Sequence, residues 1–262
     1  MCALPLPPLP RHRQILALVA ERGYVTNETL AQHFGVAVQT IRRDVGTLAE
    51  QGYIARHHGG ASAASSVENI AYDERQVLNQ PAKDAIGRAA AALIPDRSTL
   101  FINIGTTTES FARALTDRRD LRVVTNNLHV ATILSAQTDF RTIITGGTVR
   151  HCDGGVVGPS TIESLDTFRA DFGVIGISGI DEEGTLLDFD PDEVMCTRAI
   201  LRNSRRVILL TDHTKFGRHP MGKVGALADI DVLVTDLEPQ PPFRALLLAA
   251  EVEVHLAPPA GL

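Results

Sequence analysis

Cysteine is scarce in this 262-residue chain: three residues, at positions 2, 152 and 196, with no C-x-x-C pair. An odd number without close spacing excludes a disulfide framework and points to reduced thiols in a cytoplasmic protein. No apolar run approaches the ~20 residues that a membrane span needs. Residues 1–10 are rich in proline and uncharged, unlike a signal peptide. Lysine is almost missing, at positions 83, 215 and 223 only among 25 basic residues. A lysine kept in a loop is thus a candidate for a place that needs a compact point charge. Other signals fail on spacing. Gly176-Ile177-Ser178-Gly179 is not G-x-S-x-G, which excludes a hydrolase elbow. Asp153-Gly154-Gly155-Val156-Val157-Gly158 lacks the first glycine of a dinucleotide fingerprint. His57 and His58 are adjacent, so in a strand they point to opposite faces, and His151-Cys152-Asp153 lacks ligand spacing. No metal, cofactor or catalytic residue is expected.

What is present is ordinary for a soluble globular protein, 44% hydrophobic and 21% charged, in a chain long enough for two domains. The total charge of −6 is uneven: residues 1–62 hold six Arg against four acids, a net of +2, leaving −8 for the rest. A basic head on an acidic body suits local contact with DNA and argues against a structural protein that coats it.

The head carries a helical order. Ile15, Leu16 and Val19 form a first apolar stripe, and Gly23 ends that helix. Thr26 caps a short second helix with Glu28 in its first turn, and Leu30, Ala31 and Phe34 form its buried side. Gly35 supplies a turn. A third helix then places Ile41, Val45 and Leu48 on one face and Gln39, Thr40, Arg42 and Arg43 on the other. Glutamine suits adenine, and arginine suits guanine or phosphate. This is the helix-turn-helix order, with a strand over residues 53–56 and a wing tip over 57–60. The expected DNA contacts are Val38, Gln39, Thr40, Arg42, Arg43, Arg56 and His58. Gly46 in mid-helix costs ~1 kcal/mol against alanine.

Arg11, Ile15, Val19, Ala37 and Thr40-Ile41-Arg42-Arg43-Asp44-Val45, followed by the exit His58-Gly59-Gly60-Ala61, resemble the DeoR family of bacterial sugar-metabolism repressors. Ala37 stands where that family has serine, so the third helix lacks a side-chain cap, a loss of ~1 kcal/mol.

Beyond residue 80 helices are expected over 82–93, 108–115, 128–136, 194–203 and 243–250. Strands are expected over 99–104, 122–124, 141–144, 171–177, 206–210, 232–235 and 252–255. Continuous apolar strands alternating with helices imply a mainly parallel sheet covered on both faces. The division is a winged helix-turn-helix head over 8–63, a linker over 64–80 and an α/β effector-sensing domain over 81–262. In such sheets ligands sit beyond the carboxyl ends of the strands. Four loops there are rich in Gly, hydroxyl, amide or cation. Gly105, Thr106, Thr107 and Thr108 offer N–H groups and hydroxyls at a helix start. Thr125, Asn126 and Asn127 offer amides, Gly146, Gly147 and Arg150 a turn and a cation, and Lys215 a point charge. Asp181, Glu182, Asp188, Asp190, Asp192 and Glu193 form an acidic run. Asp181 is a candidate for an effector hydroxyl, and most of the run reads as a solvated face.

These loops also resemble the DeoR-family sensor, which is similar to the ribose-5-phosphate isomerase fold. Thr197 stands where such proteins have lysine. The resemblance implies a repressor released by a sugar or polyol phosphate, sn-glycerol 3-phosphate foremost, with control of glycerol metabolism. The alternative is a phosphosugar isomerase using Asp181 or Glu193 as base and Lys215 on the phosphate. The head opposes it, since an isomerase has no use for residues 11–60. One small head buries too little DNA for tight specific binding, so a homo-oligomer formed through the body is expected. Lys215 is far in sequence from the third helix, so sensing and DNA contact should separate by mutation.

Overall fold

A computed structural model describes residues 9–50, 53–56, 59–63 and 72–259. The head contains α1 (Pro10–Arg22), β1 (Tyr24–Thr26), α2 (Asn27–Phe34), α3 (Val38–Glu50), β2 (Ile54–Arg56) and β3 (Gly60–Ala63). The three strands form an antiparallel wing in the order β1-β3-β2. Thr26 caps α2 by accepting from the Thr29 N–H at 3.0 Å. Gly35 ends α2 at φ 62°, a left-handed turn that favours glycine. Ile15, Val19, Leu30, Ile41, Val45 and Leu48 converge in one core with Ile54 and Ala61 from the wing. At ~1.5–3 kcal/mol for each large apolar side chain removed from water, this set holds three short helices that would not persist alone.

The second unit begins with α4 (Tyr72–Val77) and α5 (Gln80–Ala92). It continues through β4 (Thr99–Ile102), α6 (Thr106–Ala114), β5 (Arg122–Thr125), α7 (Leu128–Leu134), β6 (Arg141–Ile144), β7 (Thr148–Val149), β8 (Val156–Val157), α8 (Pro159–Asp166) and β9 (Ala170–Gly176). Then follow β10 (Gly179–Ile180), β11 (Thr185–Asp188), α9 (Pro191–Asn203), β12 (Ser204–Leu210), β13 (Gly222–Ala226), β14 (Val232–Thr235), α10 (Pro241–Ala249) and β15 (Glu253–Leu256). Seven strands form a parallel sheet in the order β15-β14-β12-β9-β4-β5-β6.

Alternate residues of each strand enter opposite cores. Leu100, Ile102, Val174, Ile208 and Val232 face Ile86, Phe111 and Val130 of α5, α6 and α7. Phe101, Ile175, Leu209 and Leu233 face Leu165, Ile200 and Leu247 of α8, α9 and α10. Burial on both faces is why these strands read as unbroken apolar runs.

The sequence reading placed these helices and strands within a few residues of their bounds. Helix α9 starts at Pro191 rather than 194 because Asp190 caps it, accepting from the N–H groups of Asp192 at 2.9 Å and Glu193 at 3.1 Å. In the second unit four features had no counterpart in the expectation, α4, α8, the β7–β8 hairpin and a small antiparallel sheet ordered β10-β11-β13, and in the head β1 had none. Each is short, and the sheet is formed from strands of two, four and five residues, too few for a period to emerge from sequence.

Candidate functional site

Helix α3 presents Gln39, Arg42 and Arg43 to solvent, with Thr40 and Val38 half-buried beside them. Arg56 is exposed on β2. His58, the remaining expected DNA contact, lies outside the described residues. The opposite side of α3 buries Asp44, which accepts from Arg11 Nε at 2.6 Å and approaches His12 Nε2 at 3.3 Å. Burial pushes the Asp44 carboxyl up, but Arg11 and His12 outweigh it and hold the group below the usual carboxylate range. The charged stretch 42–44 therefore divides in role: two arginines point outward and one carboxylate ties α3 to α1.

The second site lies where the sheet order reverses. From β4 the chain runs outward through β5 and β6 on one side, and through β9, β12, β14 and β15 on the other. Parallel strands diverge there and leave a crevice at their carboxyl ends. The crevice holds a cleft that opens to solvent. Ile104, Gly105, Thr106 and Thr107 line it after β4, Gly176, Ile177 and Ser178 after β9, and Thr211, Asp212 and Lys215 after β12. The first turn of α6 thus directs N–H groups into the cleft, favourable to an anion.

Four expected effector residues, Gly105, Thr106, Thr107 and Lys215, line this cleft together. The others do not. Thr108 is buried, its hydroxyl donating to the carbonyls of Asn103 at 3.0 Å and Gly105 at 2.8 Å. Thr125 donates to the Ile102 carbonyl at 2.7 Å, and Asn126 to that of Val156 at 3.0 Å. Asn127 caps α7, accepting from His129 N–H at 2.9 Å. The Gly146 carbonyl accepts from Thr161 at 2.8 Å, and Gly147 is crowded by Thr161 and Val157. Asp181 organises a turn by accepting from the N–H groups of Glu183 at 3.0 Å and Thr185 at 2.7 Å. Arg150 stands behind the cleft wall, with ion pairs to Asp153 at 2.6 Å, Asp190 at 2.7 Å and Glu193 at 2.7 Å. These loops after β5 and β6 lie one and two strands away from the reversal, which only the strand order reveals.

The cleft also gathers Arg75, Lys83, Ser178 and Asp212, which sequence reasoning did not assign to a site, and Asp188 and Glu193 from the acidic run, Glu193 being a base of the isomerase alternative. The expectation of a solvated acidic face is corrected at Asp188, which is 3% exposed. Its carboxylate accepts from Ser178 Oγ at 2.7 Å and from Phe189 N–H at 2.8 Å. Its setting in Leu186-Leu187-Asp188-Phe189, an acid among apolar residues, was the available signal. Lys83 is another of the three lysines, so the rarity that singles out Lys215 applied equally to it. Burial pushes Asp188 up, and burial with the Asp188 charge pushes Glu193 up to about 8 despite Arg150. Burial pulls Lys83 down to about 8. It also pulls Lys215 down, against the opposing field of Asp212.

The loop that carries Lys215 reaches the head. Tyr24 of β1 is 1% exposed, with its ring 5.2 Å from Phe243 of α10. Phe216 stands 5.1 Å from the same Phe243. A Cβ at Gly23 would lie 2.3 Å from the His213 carbonyl oxygen, and one at Gly217 would lie 2.4 Å from the Tyr24 ring. His213 is fixed in turn by Asp236, at 2.7 Å from its N–H and 2.6 Å from Nδ1. Distance in sequence therefore misleads: Lys215 is next to a residue packed at the head junction.

Residues 11–67 match the DeoR-like helix-turn-helix domain and residues 78–237 the DeoR C terminal sensor domain. The chain is 47% identical over 246 residues to the glycerol-3-phosphate regulon repressor of Escherichia coli K12, covering 94% of this chain and 98% of that protein. It is 44% identical to the repressor of the same name from Haemophilus influenzae, covering 88% and 90%. It is 42% identical to the HTH-type transcriptional repressor CsqR of Escherichia coli K12, covering 94% and 95%. Among solved structures, a D-ribose-5-phosphate isomerase aligns over 51% of this chain and 52% of its own, at 18% identity and a TM-score of 0.38, a likeness too slight to carry chemistry.

Proposed function

Because the chain belongs to the DeoR family of transcriptional regulators, we propose that it represses genes of glycerol and glycerol 3-phosphate metabolism and is released from its operator by sn-glycerol 3-phosphate bound in the cleft at the sheet reversal. The carrying observation is the composition of that cleft. The first turn of α6 and three cations, Arg75, Lys83 and Lys215, line one cleft and favour an anion there. Ser178 and Asp188 supply partners for hydroxyl groups in the same wall. The reading carries Gly105, Thr106, Thr107 and Lys215 as effector contacts, and Gln39, Arg42, Arg43 and Arg56 as operator contacts. It assigns no catalysis. The carboxylates of the cleft have partners within the protein, Glu193 in Arg150 at 2.7 Å, Asp188 in Ser178 at 2.7 Å and Asp212 in the Thr214 N–H at 2.9 Å, and the reading gives none of them the role of a base.

The protein acts in the cytoplasm in this reading, and Cys152 and Cys196 are both free thiols. It acts as a homo-oligomer, since paired half-sites require two heads. Arg43→Ala is expected to lose ~1–3 kcal/mol of operator binding in a gel-shift titration, and unchanged affinity would remove α3 from the interface. For the effector, the test is calorimetric titration of sn-glycerol 3-phosphate into the full chain and its Lys215→Ala variant. Removal of the ammonium should weaken binding by ~1.5–3 kcal/mol, the scale of a charge-assisted hydrogen bond. Operator release should shift to higher effector concentration by the same factor. No binding by the native chain, or equal binding by both, overturns the assignment.

A further inference from the structure

We propose that Arg75 is a direct contact for the effector's phosphate, brought to the cleft by the segment that leads in from the head. The inference rests on the anionic-effector reading above. Helix α4, which carries Arg75, follows residues 64–71 and is thus the first described element after the wing.

Two anchors seat α4 beside the cleft. At its start, the Tyr72 hydroxyl donates to Glu109 of α6, at 2.9 and 3.0 Å to the two carboxylate oxygens. The Tyr72 ring stacks on His129 at 5.2 Å and 13°. Near its end, the Lys83 ammonium donates to the Arg75 main-chain carbonyl. From the second of these anchors the Arg75 side chain forms part of the cleft wall, with Lys83, Lys215 and Asp188.

The guanidinium is incompletely satisfied there. Among the described residues its buried Nε meets no hydrogen-bond acceptor. The carboxylate paired with it belongs to Asp153, with 3.7 Å between Arg75 Nη2 and Oδ2, beyond hydrogen-bond length. That same oxygen is engaged by Arg150 at 2.6 Å. The Tyr72 ring is 5.9 Å away, a weak partner. A buried N–H with no acceptor is costly, and a guanidinium presents its donors as a planar fork matched to phosphate oxygens. A phosphate held at the first turn of α6 would offer acceptors to the guanidinium from inside the cleft, and a turn of the side chain toward it would bring the buried Nε to an acceptor as well. The effector would then be gripped from both sides: by Lys215 on the loop that touches Tyr24, and by Arg75 on the segment continuous with the head. Each grip lies on a different path between the sensor and the DNA-binding unit.

The test is calorimetric titration of sn-glycerol 3-phosphate into the full chain, alongside Arg75→Gln, Arg75→Lys and Lys215→Ala, with the melting temperature of each measured without ligand. Arg75→Gln should weaken binding by about tenfold or more with its melting temperature held, and Arg75→Lys should fall between it and the native chain. Arg75→Gln binding within twofold of the native chain, while Lys215→Ala loses affinity, overturns the Arg75 contact and leaves the effector reading intact. If Arg75→Gln melts well below the native chain, Arg75→Lys decides, because it keeps the charge near Asp153 without the fork. Native-like affinity in Arg75→Lys then overturns the proposal, and weakened affinity at a native melting temperature supports it. Absence of binding by the native chain overturns the effector reading and this inference together.

Discussion

The two units of this molecule handle charge in opposite ways. The head turns its polar groups outward: Gln39, Arg42 and Arg43 are exposed along one side of α3, and Asp44 is buried against Arg11 and His12. The sensor turns its charge inward, with Lys83, Asp188 and Asp212 each less than 5% exposed at the cleft. An outward polar face costs little to maintain and can read a large, charged duplex. Inward charge costs desolvation, and its cost falls when a ligand of opposite charge enters. The head is therefore suited to a partner of fixed charge pattern, and the sensor to a small ligand whose arrival changes the energy of the site. Among the described residues, Gly23 and Tyr24 of the head meet the loop over residues 213–217 and Phe243 of the sensor.

That link is where the contrast breaks most severely. Tyr24 belongs to the head by sequence, yet its ring packs with Phe243 and Phe216 of the sensor. Tyr24→Ala should cost ~3–5 kcal/mol of stability, the range for deleting a buried aromatic ring, measured by denaturant unfolding of the full chain. If the junction transmits effector binding, the variant should also respond less to sn-glycerol 3-phosphate in an operator-release titration, each curve being normalised to its own effector-free affinity. Normal release in a destabilised variant would place transmission elsewhere, with the segment through α4 as the remaining path.

The next test concerns charge in the sensor alone. Burial holds both Glu193 and Lys83 near a pKa of about 8, one raised and the other lowered. As pH rises through that value, Glu193 becomes negative and Lys83 neutral, so the cleft loses positive charge twice over. A phosphate monoester, with its second pKa of about 6, is already a dianion there, so the ligand does not change. Affinity for sn-glycerol 3-phosphate should fall by about tenfold between pH 7 and 9, about 1.4 kcal/mol. Stability of the free protein follows a different course. The Glu193 contribution is complete below its ordinary 4.5 and lost as pH rises through about 8. The Lys83 contribution is complete above its ordinary 10.5 and lost as pH falls through about 8. Together they place a stability minimum near pH 8, while affinity declines steadily across it. Calorimetry and denaturant melts at three pH values separate the two, and flat affinity from 7 to 9 would show that neither group faces the ligand.

The same contrast explains what the sequence made legible. The recognition surface is local: Gln39, Arg42 and Arg43 lie within two turns of one helix, opposite Ile41, Val45 and Leu48, and periodicity separates the faces. The parallel sheet was legible for a similar reason, since apolar strands alternate with amphipathic helices along the chain. The cleft was legible in part. Gly105, Thr106 and Thr107 follow a strand in a recognisable turn, and Lys215 stands out by rarity. Arg75, Lys83, Ser178 and Asp188 come from four separate segments that only the fold brings together. Thr125, Asn126, Gly146 and Gly147 have the composition of a site, but strand order places them away from the reversal, where Thr125 and Asn126 satisfy main-chain carbonyls and the two glycines lie against Thr161. Composition identifies loops that can bind; topology decides which of them meet.

The smallest expected effect tests how tightly each unit is packed, using a glycine in mid-helix from each. Gly46 lies in α3, where among the described residues an added Cβ would meet only the end of the Arg56 side chain, at 3.6 Å, an ordinary contact. Gly87 lies in α5, where a Cβ would stand 2.7 Å from the main-chain carbon of Ser110 and 2.8 Å from the Phe111 nitrogen. Gly87 is required by the close approach of α5 to α6, whereas Gly46 is required by no packing. Gly87→Ala should therefore destabilise by ~1–3 kcal/mol, as overpacking does. Gly46→Ala should stabilise by ~0.5–1 kcal/mol, because alanine is the better helix former and nothing must move. Denaturant melts of the two variants measure both signs. Operator affinity of Gly46→Ala should stay within about twofold of the native chain, since the gain applies to helix propensity and the outward side chains are untouched. A loss of affinity would mean that α3 must bend at Gly46 to fit its groove, and that the weak helix is a requirement of DNA recognition.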